Sequence, residues 1–313
     1  MSGSLAQIAM LVNLGVARMF DREPLDAARS LSWSFGPYYT VPLLLVAILC
    51  VIGFFRMRVR LGQRRLSWWP LFIFSLAWVS LVIAMNSPVH EIGEQLFWVH
   101  MTQHEILVLF SAPLLVLARP IGLLLWAVPR RWREGFGAAA KSRSIRKTWL
   151  LISMPAAAWL LHAIALWAWH APTLFEATLH SDFIHGLQHA SFLGTALLFW
   201  WALIDRHRGR LSRGSAVIYV FTTAVHTSVL GALLTFAPRP WYPSYAATAP
   251  AWGMSAMQDQ QIGGLIMWVP SGTVLTIVGL AMVVAALRAS DRRWENSQTA
   301  ALLHDHAGVA HES

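Results

Sequence analysis

The sequence predicts an all-α polytopic membrane protein, a bundle of seven transmembrane helices with its N-terminus outside and its C-terminus inside. Three observations carry this. The 313 residues are 56% apolar and only 12% charged, with a mean hydropathy of +0.51, too apolar for a soluble domain of that size. The apolar runs are long enough to cross about 30 Å of hydrocarbon at roughly 20 residues each. The cationic residues alternate from one connection to the next.

The seven runs lie near residues 39–56, 67–86, 95–118, 149–169, 184–204, 215–237 and 260–287. Cytoplasmic loops hold Lys and Arg, whereas translocated loops shed them. Arg56, Arg58, Arg60, Arg64 and Arg65 follow the first run, and eight cations from Arg119 to Lys147 follow the third. Arg206, Arg208, Arg210 and Arg213 follow the fifth, and Arg288, Arg292 and Arg293 follow the seventh. The opposite side carries Arg18, Arg22, Arg29 and Arg239. Twenty cations against four set the orientation.

Residues 1–38 read as an N-terminal segment, 39–288 as the transmembrane domain and 289–313 as a cytoplasmic tail. Met1 to Phe20 is mildly amphipathic with no basic stretch before it, which suits an interfacial helix better than a cleaved signal peptide. In the tail, His304, His306 and His311 are expected to belong to a disordered terminus. The net charge of +9 follows from the inner loops. The cations lack interleaved aromatics, so no nucleic-acid partner is expected. The lone Cys50 rules out an intrachain disulfide or a cysteine-based metal cluster. Many of the seventeen tryptophans, among them Trp68, Trp69, Trp98, Trp167 and Trp169, fall where aromatic belts form.

Chemistry concentrates in the outer halves of the spans. The third run carries His100 and His104, the fifth His185 and His189. Each pair is spaced i,i+4, so both imidazoles share one helix face and can reach one ion. His162, His170, His226 and Met267 fall in the same layer, within roughly 16 Å of the outer boundary, and the inner halves hold no histidine. Ionisable groups inside a bilayer usually face the bundle interior and mark a functional site. Imidazole with thioether suits copper, above all Cu(I), while zinc is content with histidines alone. Each residue also has a plainer role: an isolated histidine can serve an interhelical hydrogen bond, and Met101 and Met267 can simply fill the core. Glu105 points about 100° around the helix from His104, so it either steadies an imidazole or pairs elsewhere. Gly263 and Gly264 are expected to permit close packing, and Pro270 to kink the last span. The H-E-x-x-H template fails at both His90-Glu91 and His104-Glu105, and no nucleophile-elbow or phosphate-loop motif occurs in a suitable context.

Several elements resemble the multi-span CtaG family of cytochrome c oxidase assembly factors, over roughly residues 40–288. They are Asn86-Ser87-Pro88, His100-Met101-Thr102-Gln103-His104, Ala112-Pro113-Leu114-Leu115 with Arg119-Pro120, Trp169-His170-Ala171-Pro172, His185 with His189, and Asp259-Gln260-Gln261-Ile262-Gly263-Gly264-Leu265-Ile266-Met267-Trp268. The resemblance implies a protein of the bacterial inner membrane that helps build the haem-copper oxidase by handling copper. Its partners would be the oxidase catalytic subunit, a periplasmic copper chaperone and membrane lipid. The expected ligands are His100, His104, His185 and His189 with Met101 and Met267. His162, His170, His226, Glu105, Gln103, Asp259 and Gln260 would serve as further ligands or supports, and Met254 and Met257 would line the approach. No catalysis is required. Two other readings use the same residues: a redox protein holding haem between two histidines, and a zinc-dependent membrane hydrolase with Glu105 or Asp259 as base. A metal-free scaffold that binds oxidase subunits is the plainest version of the assembly role.

Overall fold

A computed structural model of the chain describes residues 33–62, 67–204 and 211–311. The expected interfacial helix over Met1 to Phe20 lies outside the described residues. Every regular element among the described residues is helical. Among the described residues six helices are long and apolar enough to cross a membrane, and a bent pair makes a seventh if it counts as one span.

Helices α1 (Pro37–Leu61) and α2 (Trp69–Asn86) each carry proline in the first turn, where a missing N–H costs nothing. A short helix, α3 (Pro88–Gly93), follows at once, its start held by the Ser87 hydroxyl, which accepts from the Val89 N–H at 3.3 Å. The third span comprises α4 (Phe97–Glu105), a π-helical turn (Ile106–Ser111) and α5 (Ala112–Ala118). Pro113 explains the π turn. Lacking an N–H, it cannot take the carbonyl four residues back, and the Ala112 N–H bonds to Leu107 O instead. The Trp200 indole donates to Val108 O within this turn at 2.8 Å, satisfying a carbonyl the altered ladder would leave exposed. Arg119 ends the span in the left-handed region at φ 51°, just before Pro120.

Beyond it lie α6 (Pro120–Ala127), α7 (Arg130–Lys141), α8 (Arg143–Ile152) and α9 (Pro155–Trp169). The run over 149–169, expected as one straight span, is broken: α8 and α9 meet at 68°. Pro155 disfavours helix in the residue before it, and Met154 is extended at ψ 138°. Arg143, Arg146 and Lys147 on α8 add a charged face, and α8 buries no residue, the pattern of an amphipathic surface helix. The 15 residues of α9 span about 22 Å.

The remaining elements are α10 (Pro172–Leu179), α11 (Asp182–Ile204), α12 (Arg213–Thr235), α13 (Ser244–Thr248), a 3-10 turn (Ala249–Trp252) and α14 (Ala256–His311). The 56 residues of α14 continue through Pro270 and past residue 288, where the sequence suggested a disordered tail; no proline falls between 289 and 311. The side chains of His304, His306 and His311 lie outside the described residues.

Apolar burial drives helix association weakly in lipid, so close backbone approach matters. A Cβ on Gly231 of α12 would stand 2.7 Å from the Trp268 Cβ and 2.9 Å from Gly264 O on α14. One on Gly263 would collide with the Phe97 ring. These contacts bear out the expected role of the glycine pair and clamp α14 between α12 and α4. Two of the buried apolar clusters flank this clamp. One holds Phe199, Trp200, Tyr219 and Leu275; the other, at the histidine-bearing end, holds Phe97, Met101, Phe175, Tyr242, Tyr245 and Met267.

Candidate metal centre

The position of α4 is set from outside it. Its N-cap residue, Leu96, has no side-chain acceptor, and Asp259 at the start of α14 supplies one. Its two carboxylate oxygens accept the N–H groups of Phe97 at 2.8 Å and Trp98 at 3.0 Å. A carboxylate at a helix N-terminus also meets the positive end of the helix dipole. This anchor places His100 and His104 opposite the matching face of α11.

The two histidine pairs converge. Within pairs, ring centroids lie 4.4 Å apart for His100 and His104 and 4.3 Å for His185 and His189. Between helices, His100 stacks on His185 at 5.0 Å and 17°, and His104 meets His189 edge-on at 5.3 Å. One ring nitrogen each from His100, His185 and His189 falls within a mutual 4.8 Å. All four side chains are buried. Among the described residues, both nitrogens of His104 and the Nε2 atoms of His185 and His189 have no hydrogen-bond partner. A buried polar atom left so costs about 1–3 kcal/mol, so four at one place call for a ligand. The Tyr245 hydroxyl donates to Gly93 O at 3.0 Å, leaving its oxygen to accept from His100 Nδ1 at 3.4 Å. His100 Nε2 lies 3.3 Å from Gln188 Oε1, which can only accept, so the one proton of a neutral His100 ring serves either that oxygen or the Tyr245 hydroxyl and the other ring nitrogen keeps a lone pair.

A second three-donor group, His90, Glu94 and His185, again within 4.8 Å, shares His185 with the first. His90 stacks on His185 at 5.3 Å. Gln103 supports this neighbour: its amide donates to Ala84 O at 2.7 Å and to His90 Nδ1 at 3.1 Å. Glu94 is exposed. Its carboxyl, partly desolvated where it lies against the protein and then facing the Glu91 and Asp182 charges, is pushed above the ordinary range. Burial lowers the His90 imidazole despite the same two carboxylates.

On the other side of His104 lies a cavity of about 30 Å³ lined by Met101, Glu105, His162, His170 and Met267 among others, room for two or three waters at about 10–15 Å³ each. His170 donates through Nδ1 to Leu166 O at 2.7 Å and turns Nε2 to Met101 Sδ at 3.4 Å. Glu105 accepts from the Ser271 hydroxyl at 2.6 Å, so its partner is across the bundle on α14. His162 bonds Thr195 at 3.1 Å. His226 stands apart against Trp159, both ring nitrogens unpartnered. Gln260 accepts from the Trp241 N–H at 2.6 Å and donates to Leu234 O at 3.1 Å, tying the α12–α14 connection. Met254 and Met257 are half-buried beside the start of α14 and line no part of the cavity.

The family described as cytochrome c oxidase caa3 assembly factor (Caa3_CtaG) matches residues 48–289. The chain belongs to this family. Uncharacterized proteins of Mycobacterium bovis and Mycobacterium tuberculosis are each 29% identical over 280 residues, covering 85% of this chain and 40% of their own length. One of Mycobacterium leprae is 28% identical over 278 residues, covering 84% of this chain and 40% of its own. The chain thus spans about 40% of the length of the curated relatives it matches. No solved structure matches it.

In this Caa3_CtaG member, reasoning from sequence singled out both histidine pairs but missed His90, Glu94, Gln188 and Tyr245. A signal existed for His90. Ser87-Pro88 is a helix start, and it sets His90 on its own short helix beside the third span. Nothing in the pattern pointed to Tyr245, which lies 145 residues from His100.

Proposed function

We propose that this Caa3_CtaG member binds copper as cargo at His100, His185 and His189 and passes it to the catalytic subunit of a nascent cytochrome c oxidase. The observation that carries the reading is the meeting of three buried imidazoles, with an unpartnered nitrogen on each of His185 and His189. Three nitrogens make an incomplete shell, which can hold copper and still accept an incoming donor ligand. His104, beside the group with both nitrogens free, offers an exchange position. The positive-inside pattern turns this end outward from a bacterial inner membrane, where a periplasmic chaperone would deliver the ion. Glu94 and His90, adjoining His185, serve that approach better than Met254 and Met257.

Two features favour copper over the other readings. His100 and His185 are stacked ring on ring, leaving no slot between them for a porphyrin plane. The bases a zinc hydrolase would need, Glu105 and Asp259, are committed to Ser271 and to the α4 N-terminus. The test is metal analysis of protein purified from copper-replete membranes, with His100→Ala and His185→Ala beside the parent. Both variants are expected to hold less copper than the parent; unchanged copper in both overturns the assignment.

A further inference from the structure

The contact between His170 and Met101 has no ordinary hydrogen-bond explanation. Leu166 O can only accept, so the proton of a neutral His170 ring sits on Nδ1 and its Nε2 presents a bare lone pair. The thioether sulfur 3.4 Å away has no hydrogen to give either. An imidazolium would supply a second proton, yet among the described residues no carboxylate is ion-paired with His170. Both side chains are fully or almost fully buried, at 0% exposure for Met101 and 2% for His170. Two lone-pair donors thus face each other beside a cavity that Met267 and His104 also line, and both nitrogens of His104 are unpartnered.

We infer that Met101 and His170, with Met267 and His104 around the same cavity, form a second metal station for a soft monovalent cation, chemically Cu(I), separate from the three-histidine group. Thioether sulfur selects Cu(I) over zinc or harder ions. His104 adjoins both stations, with ring centroids 4.4 Å from His100, 5.3 Å from His189 and 6.2 Å from His170. It can therefore exchange an ion between an all-nitrogen and a mixed nitrogen–sulfur environment. The inference rests on the copper reading of the three-histidine group, and the experiment separates the two.

The full-length chain in detergent is titrated with Ag(I), a redox-silent substitute for Cu(I), and with Zn(II), and the silver environment is read by X-ray absorption. The parent is expected to bind two Ag(I) with silver–sulfur scattering, and one Zn(II). His185→Ala is expected to keep one Ag(I) and all the sulfur signal while losing Zn(II). Met101→Leu combined with Met267→Leu, which nearly conserve volume, are expected to fall to one Ag(I), lose the sulfur signal and retain Zn(II). Silver without sulfur scattering in the unaltered parent, which needs no variant to fold, overturns the second station and leaves the first standing. Sulfur scattering that survives the double Met→Leu change overturns it as well. Sulfur-bound silver lost on the double change, with no Zn(II) bound by the parent, supports the second station and sinks the three-histidine assignment alone.

Discussion

Asp259 separates a structural role from a metal-site role in one residue. Replacing it with alanine strips the acceptors from the N–H groups of Phe97 and Trp98, and Leu96 cannot take over because it has no capping atom. Each buried donor left unpaired costs about 1–3 kcal/mol, and the lost charge at the helix N-terminus adds about 0.3–1 kcal/mol. After relaxation and water entry the sum is about 2–5 kcal/mol. At about 2–4 °C per kcal/mol for a chain of this size, Asp259→Ala should lower the melting temperature by roughly 5–15 °C. Asp259→Asn keeps one oxygen and should lose about half as much. Thermal unfolding of the detergent-solubilised protein, followed by tryptophan fluorescence, measures this, with copper content determined well below the transition. A melting temperature within about 1 °C of the parent would refute the capping argument. So would a fully folded Asp259→Asn protein that no longer holds copper, which would make the carboxylate part of the ion's surroundings.

Other substitutions test the remaining contacts. Gly263→Ala drives a methyl into the Phe97 ring and should cost about 1–3 kcal/mol, whereas Gly194→Ala, with nothing within 4 Å of the added Cβ, should be neutral or stabilising by up to about 1 kcal/mol; paired melting curves decide. Trp200→Phe removes the indole donor to Val108 O and should cost about 1–3 kcal/mol while leaving metal content unchanged. His226→Leu, which replaces two unpartnered nitrogens with carbon, should keep the full metal stoichiometry and not lower the melting temperature; loss of an ion would place His226 in the site.

How far the site was readable depended on whether its geometry is local. The spacing of His100 with His104 and of His185 with His189 needs one helical turn each, so a linear pattern suffices. Glu105 and Asp259 lay beyond that reach: their partners are Ser271, 166 residues away, and the backbone of Phe97, 162 residues away. Hydropathy likewise ran Trp149 to Trp169 together, since an average over a window registers how apolar the residues are and not that Pro155 turns the chain. His90 was passed over because its value comes from its ring meeting His185 of α11, a contact between separate elements.

The linear chain alone determined that the protein is a helical membrane bundle, because apolar run length, cation asymmetry and the i,i+4 repeat are properties of consecutive residues. The packing of α4, α11 and α14 alone decided which nitrogens meet and which acidic groups are spent on hydrogen bonds. It also put Met101 against His170 and left His226 aside. Coordination and hydrogen bonding act over a few ångströms, and only the folded arrangement brings residues so distant in sequence within that range.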